Sequence, residues 1–164
     1  MIGRASDRMS TEDTRLLPED DAWMQSALRQ AEAAERAGEV PVGAVFVLDG
    51  VELAGAHNRT ITDVDPTAHA EILVLRAAAA ACNNHRIGGT VYVTLEPCAM
   101  CMGAMIQARI ARLVFAAADP KAGAAVSLMQ LGDDERLNHR FDVDGGLMAE
   151  AASEMLRAFF RARR

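Results

Sequence analysis

Apolar positions along the chain switch between a helical and an extended period. From Asp20 onward Trp23, Ala27, Ala31 and Ala34 recur at helical spacing, with Asp20 or Asp21 as the cap and Gly38 as the stop. Val42–Leu48 is an unbroken apolar run that predicts a buried strand, Asp49-Gly50 a two-residue turn, and Val51–His57 the antiparallel return. Thr60–Thr67 reads as a loop, and His69–Cys82 as a helix with Ile72, Leu75, Ala79 and Cys82 on one face. Thr90–Leu95 alternates as a strand, Ala99–Arg109 returns to helical spacing, and Arg112–Ala116 is again strand-like. A last helix is expected over Gly146–Phe160, with Met148, Ala152, Met155 and Phe159 in phase.

Helices thus alternate with strands after an opening antiparallel hairpin. That order predicts an α/β fold: a mixed sheet with one right-handed parallel crossover and helices packed on both faces. Residues 1–19 carry no period and end at Leu16-Leu17-Pro18, which predicts a flexible extension, within which Met9 is an alternative start, ahead of one domain over residues 20–164. With 164 residues, 51% of them apolar, the chain suffices for one hydrophobic core and is not disordered throughout. No apolar run approaches the roughly 20 residues of a membrane span. The first 21 residues mix arginines with acids, so no secretory signal is expected, and three cysteines do not make a disulfide framework. A cytoplasmic protein without membrane contact is the expectation. The net charge of −6 argues by itself against a nucleic-acid partner, but the last eight residues hold four arginines and no acid.

Two short stretches concentrate the chemistry: Thr67-Ala68-His69-Ala70-Glu71, opening a helix, and Thr94-Leu95-Glu96-Pro97-Cys98-Ala99-Met100-Cys101, running from a strand end into one. One imidazole and two thiolates suit zinc and suit calcium or magnesium poorly. Cys98 and Cys101 are three apart, so both sulfurs can reach one ion from a first helical turn, and helix N-termini favour thiolates. Three protein ligands, His69, Cys98 and Cys101, are the count of a catalytic zinc with a fourth place open for water. Glu71 is the carboxylate that would move the water proton, and it should not ligate. Residues i and i+2 point to different sides of a regular helix, so this works only if His69 lies in an irregular first turn. A structural finger would close its shell with a fourth ligand, and Cys82, His57, His85 and His139 lack matching spacing; Cys82 reads as core, His85 and His139 as loop groups. Together the motifs match the His-x-Glu and Pro-Cys-x-x-Cys signature of zinc deaminases.

Longer strings go further. Glu39-Val40-Pro41-Val42-Gly43-Ala44-Val45, Asn58-Arg59, Asp65 to Glu71, Thr94 to Met105, Asn138-His139-Arg140 and the Phe159-Phe160-Arg161-Ala162-Arg163-Arg164 ending resemble the bacterial tRNA-specific adenosine deaminase family, within the cytidine/deoxycytidylate deaminase superfamily, from about Asp20 onward. The resemblance implies a cytidine-deaminase-like three-layer α/β/α sandwich, a homodimer, and one Zn2+ per subunit on His69, Cys98 and Cys101. It implies Glu71 as proton shuttle, and conversion of the wobble adenosine of an arginine tRNA anticodon stem-loop to inosine with water. Asn58 falls on the asparagine that contacts the flipped nucleotide, Asp119 on an acidic residue beside the RNA, Phe159 on the tail helix near the anticodon, and Val42 and Ala70 on further substrate contacts. There are departures: where the family has Phe-Gly-Ala-Arg-Asp, this chain reads Phe115-Ala116-Ala117-Ala118-Asp119, and His57 replaces an aromatic residue before Asn58.

Other readings stay open at this point. Asn58 also reads as a turn former, Asp119 as a turn cap before Pro120, and the arginine tail as an ordinary cationic helix end with both Phe159 and Phe160 in the core; between that and two stacking rings, one ring each way is expected. The same zinc motifs serve a guanine, cytosine or nucleotide deaminase acting on a free small substrate, and a non-catalytic zinc module is the third possibility.

Overall fold

In the computed structural model, which describes residues 15–164, the elements are α1 (Asp20–Arg36), β1 (Gly43–Leu48), β2 (Val51–His57), α2 (Ala70–Cys82), β3 (Thr90–Leu95), α3 (Ala99–Ala108), β4 (Arg112–Ala117), β5 (Asp142–Gly145) and α4 (Ala149–Arg161). Most of the expected extension over residues 1–19 lies outside the described residues. The strands form one sheet in the order β2-β1-β3-β4-β5. β1 pairs antiparallel with β2 and β3, while β3, β4 and β5 are mutually parallel. The hairpin and the β3–α3–β4 crossover are therefore as the pattern predicts. Asp49 and Gly50 both take positive φ, 51° and 74°, as a two-residue hairpin turn requires.

Alternation along the strands decides the layers. Ala44, Phe46, Val91, Val93, Leu113 and Phe115 pack under α2 and α3. Their neighbours Val45, Val47, Tyr92, Val114 and Ala116 pack under α1 and α4, through Met24, Ala27 and Ala152. The result is a three-layer α/β/α sandwich. Gly43 admits α1 onto the sheet: a Cβ there would fall on the backbone of Ala27 and Ala31. Among the described residues no helix is long and apolar enough to cross a membrane.

Two expectations need correcting. Neither Asp20 nor Asp21 caps α1; Glu19 holds that position without a side-chain bond. Asp20 is instead wholly buried, and its carboxylate accepts the Leu17 N–H at 2.7 Å, the Tyr92 hydroxyl at 2.6 Å and the Arg112 guanidinium at 2.8 and 2.9 Å. Arg112 also reaches Asp144 on β5 at 3.0 Å. Burial opposes charge on Asp20, but Arg112, the Leu17 N–H and the Tyr92 hydroxyl outweigh it and hold its pKa below the ordinary 3.8. The last helix starts at Ala149, not Gly146, because Gly146 and Met148 take positive φ (95° and 56°).

Pairing also fixes what meets at one edge of the sheet. Gly43 lies opposite His57, Ala44 opposite Val93, and Leu95 opposite Ala117. Hence the segment before β1, the loop after β2, the turn after β3 and the loop after β4 all emerge together.

Candidate active site

His69 is the N-cap of α2, with extended backbone (φ −74°, ψ 151°), and Cys98 is the N-cap of α3 in the same state (φ −76°, ψ 175°). This meets the geometric condition on His69: its ring leaves from outside the helix while Glu71 sits inside the first turn, 4% exposed. His69 Nδ1 lies 3.7 Å from Cys98 Sγ and 3.5 Å from Cys101 Sγ. A tetrahedral zinc with ordinary bond lengths holds nitrogen and sulfur about 3.6 Å apart, so these donors already stand at the separations of its corners. Among the described residues these three form the cluster of potential metal ligands, and Glu71 is not in it. Cys82 packs against the core instead, and the His57 and His139 rings meet the carbonyls of Asn58 and Ile110.

The ionisations of the three donors are coupled through their mutual contacts. The Cys98 thiol is pulled down to about 3 by the hydrogen bond from Cys101 and by His69. Cys101 is held up by that same bond and by burial. The His69 imidazole is raised by its bond to Cys98. Burial pushes the Glu71 carboxyl up, and the Cys101 thiol contacts it. A buried carboxyl that takes up a proton readily therefore adjoins the three donors.

Around this centre the loops are pinned by main-chain bonds. Asn58, half-buried just past β2, donates its N–H to the Val42 carbonyl at 3.0 Å, and Arg59 donates to Ala68 at 2.9 Å. Val42 and Asn58 are thus neighbours, and the segment from Asn58 leads back to His69 and the buried Ala70. Asp119 follows β4; its Oδ1 accepts the Lys121 and Ala122 N–H groups at 3.1 and 3.3 Å, the turn-capping arrangement. Phe159 is 3% exposed, edge-to-face with Phe160, and the Arg163 guanidinium lies 3.4 Å above its ring. Phe160 is 48% exposed. Lys121 shares an open groove with Leu156, Arg157, Phe160, Arg161, Arg163 and Arg164, so the loop after β4 and the basic tail meet.

Two buried carboxylates have no assigned role in the sequence reading. Glu39, wholly buried, accepts the Ile61 N–H at 3.1 Å, the Thr62 N–H at 2.7 Å and the Thr62 hydroxyl at 2.5 Å. Glu96, 2% exposed, accepts four donors from residues 119–127. The sequence signal is an acid within an apolar stretch, Glu39 before Val40-Pro41-Val42 and Glu96 between Leu95 and Pro97, which must find partners when buried; backbone donors leave no trace in a sequence.

The family model of MafB19-like deaminases matches residues 18–164. The tRNA-specific adenosine deaminase of Bacillus subtilis (strain 168) is 45% identical over 146 residues, covering 88% of this chain and 91% of its own. That of Haemophilus influenzae is 48% identical over 147 residues, covering 88% and 85%. The chain belongs to the tRNA-specific adenosine deaminase family. A solved structure described as a tRNA:A34 deaminase acting at the wobble position superposes with a TM-score of 0.79 at 45% identity, over 82% of this chain and 99% of that one. A guanine deaminase from Nitrosomonas europaea superposes with a TM-score of 0.75 at 27% identity, over 90% and 87%. The expected cytidine-deaminase-like sandwich is thus the fold of the family, and the match spans the donor cluster, Glu71 and both loops.

Proposed function

We propose that this chain hydrolyses the wobble adenosine of a tRNA anticodon, an arginine tRNA foremost, to inosine and ammonia, with one zinc ion per subunit on His69, Cys98 and Cys101. The observation that carries this is the cluster of three donors at zinc-like separations with the buried Glu71 carboxyl beside it, in a chain of this family. A zinc ion held there supplies a Lewis acid that lowers the pKa of water toward neutrality. Glu71 takes the first proton of the attacking water and delivers it to N1 of adenine, then passes the second, from the new C6 hydroxyl, to the amino group, which leaves C6 as ammonia as the C6 carbonyl forms. An anticodon loop is single-stranded, so extruding one base costs a few kcal/mol at most. Asn58 offers both a donor and an acceptor to the flipped nucleotide, with Val42 and Ala70 beside it and Asp119 on the RNA side.

Affinity comes from local charge in spite of the acidic total. Lys121, Arg157, Arg161, Arg163 and Arg164 line one groove, and Phe160 rather than the enclosed Phe159 has a ring accessible for stacking. The enzyme acts as a homodimer in the cytoplasm. Parallel assays on an anticodon stem-loop, free guanine and free cytosine test the reading, with Glu71→Ala alongside. Inosine is expected only from the RNA, and the variant should keep its zinc and lose turnover. Turnover of free guanine with none of RNA, or an active Glu71→Ala protein, overturns it.

A further inference from the structure

We infer that Glu96 is a positioning residue: its buried carboxylate clamps the 119–127 loop against the metal-donor turn, and so places Lys121 in the basic groove. The inference rests on the deaminase reading above. Oε1 accepts the Asp119 N–H at 3.0 Å and the Ser127 hydroxyl at 2.5 Å, while Oε2 accepts the Val126 and Ser127 N–H groups, both at 2.9 Å. All four donors come from the ends of one loop, and a carboxylate accepting this many bonds is worth far more than a neutral acceptor. Between those ends the loop crosses the carboxylate at Gly123, where a Cβ would fall on the carboxyl group itself. The Ala124 N–H then donates to the Pro97 carbonyl at 2.8 Å, one residue before Cys98. Glu96 is fixed from its other side as well, its own N–H donating to Ala117 at 2.8 Å.

The loop is thus tied at both ends and its middle to the turn that delivers Cys98, and it contributes Lys121 to the groove lined by the arginine tail. An amide in place of the carboxylate keeps the shape but turns an NH2 group toward backbone donors, leaving buried N–H groups unsatisfied. Gly123→Ala keeps the carboxylate but drives a methyl group against it, and so displaces the same loop from the other side of the contact.

The test compares wild type, Glu96→Gln and Gly123→Ala on an anticodon stem-loop, with metal content and amide exchange read on each. In both variants kcat/KM should fall by about tenfold or more, carried by KM, at wild-type metal content, while the Val126 and Ser127 amides exchange faster. Should Glu96→Gln fail to fold, Gly123→Ala decides by the same readouts. A kcat/KM within about twofold of wild type, or a loss that only follows lost metal, overturns the clamp. A wild-type protein inactive on the RNA overturns the deaminase reading instead, and amide exchange still decides the clamp.

Discussion

His69 Nδ1 lies 3.5 Å from Cys101 Sγ although 32 positions separate them, and this contact joins the N-cap of α2 to the first turn of α3. His69→Ala and Cys101→Ser should each cut bound zinc from one per subunit to near zero, measured by elemental analysis. Cys82→Ser, altering a side chain on the core margin, should leave it unchanged. Because the ion binds only the folded chain, free zinc at a hundredfold its Kd should add about 2.7 kcal/mol of stability, and a chelator should remove it.

Truncation after Phe160 removes Arg161, Arg163 and Arg164 from the groove beside Lys121. Each lost contact to a single-strand phosphate lowers the salt slope by about 0.7, so the slope should flatten by up to about 2. Metal content should not change. Loss of the Arg163 guanidinium from the Phe159 face should cost about 0.5–1 kcal/mol of stability. An unchanged salt slope would take the tail out of RNA binding.

Asp20 should be one source of acid sensitivity, beside Glu39 and Glu96, whose carboxyls are also held below their ordinary range by the hydrogen bonds they accept. The Asp20 pKa is lowered by folding, so its stabilisation is complete above the unfolded value near 3.8 and is lost as pH falls through the lower folded value. Asp20→Asn leaves the Arg112 charge half-served in a buried setting, and should destabilise by about 3 kcal/mol at neutral pH while flattening the acid limb of the melting curve. Melting temperatures from neutral pH down to about 3 check both statements.

Two glycines should respond with opposite sign. Gly43→Ala drives a methyl group into the backbone of α1 and should cost about 2–3 kcal/mol. Gly103→Ala, on α3 with open space around the new carbon, should stabilise by about 0.5–1 kcal/mol through helix propensity. Denaturant midpoints at constant m separate the two.

Much of this molecule is legible from the residues. Phe46, Val91 and Leu113 reveal the strands because each belongs to an apolar run, and Asp49-Gly50 reveals the hairpin because few residues accept two successive positive φ angles. The metal donors are legible because three soft ligands at this spacing leave little else to read. β5 is not, since Asp142-Val143-Asp144-Gly145 is a short polar edge held by pairing to β4 and by Arg112. Asp20 looks like a cap by position, and only the Tyr92 and Arg112 side chains, distant in sequence, explain its burial. Glu39 and Glu96 escape as well: apart from one hydroxyl each, from Thr62 and Ser127, what they hold is main chain, and any sequence supplies that.

Both donor helices begin at the sheet edge that carries His69 and Cys98 and run away from it, ending in left-handed caps at Asn83 and Arg109. The Asn83 end lies a full helix from the ligands, about 20 Å for 13 residues. A fluorophore or affinity handle spliced between Asn83 and Asn84 would therefore leave the ligand geometry untouched, whereas one extra residue between Cys98 and Cys101 would turn the two sulfurs out of register with each other.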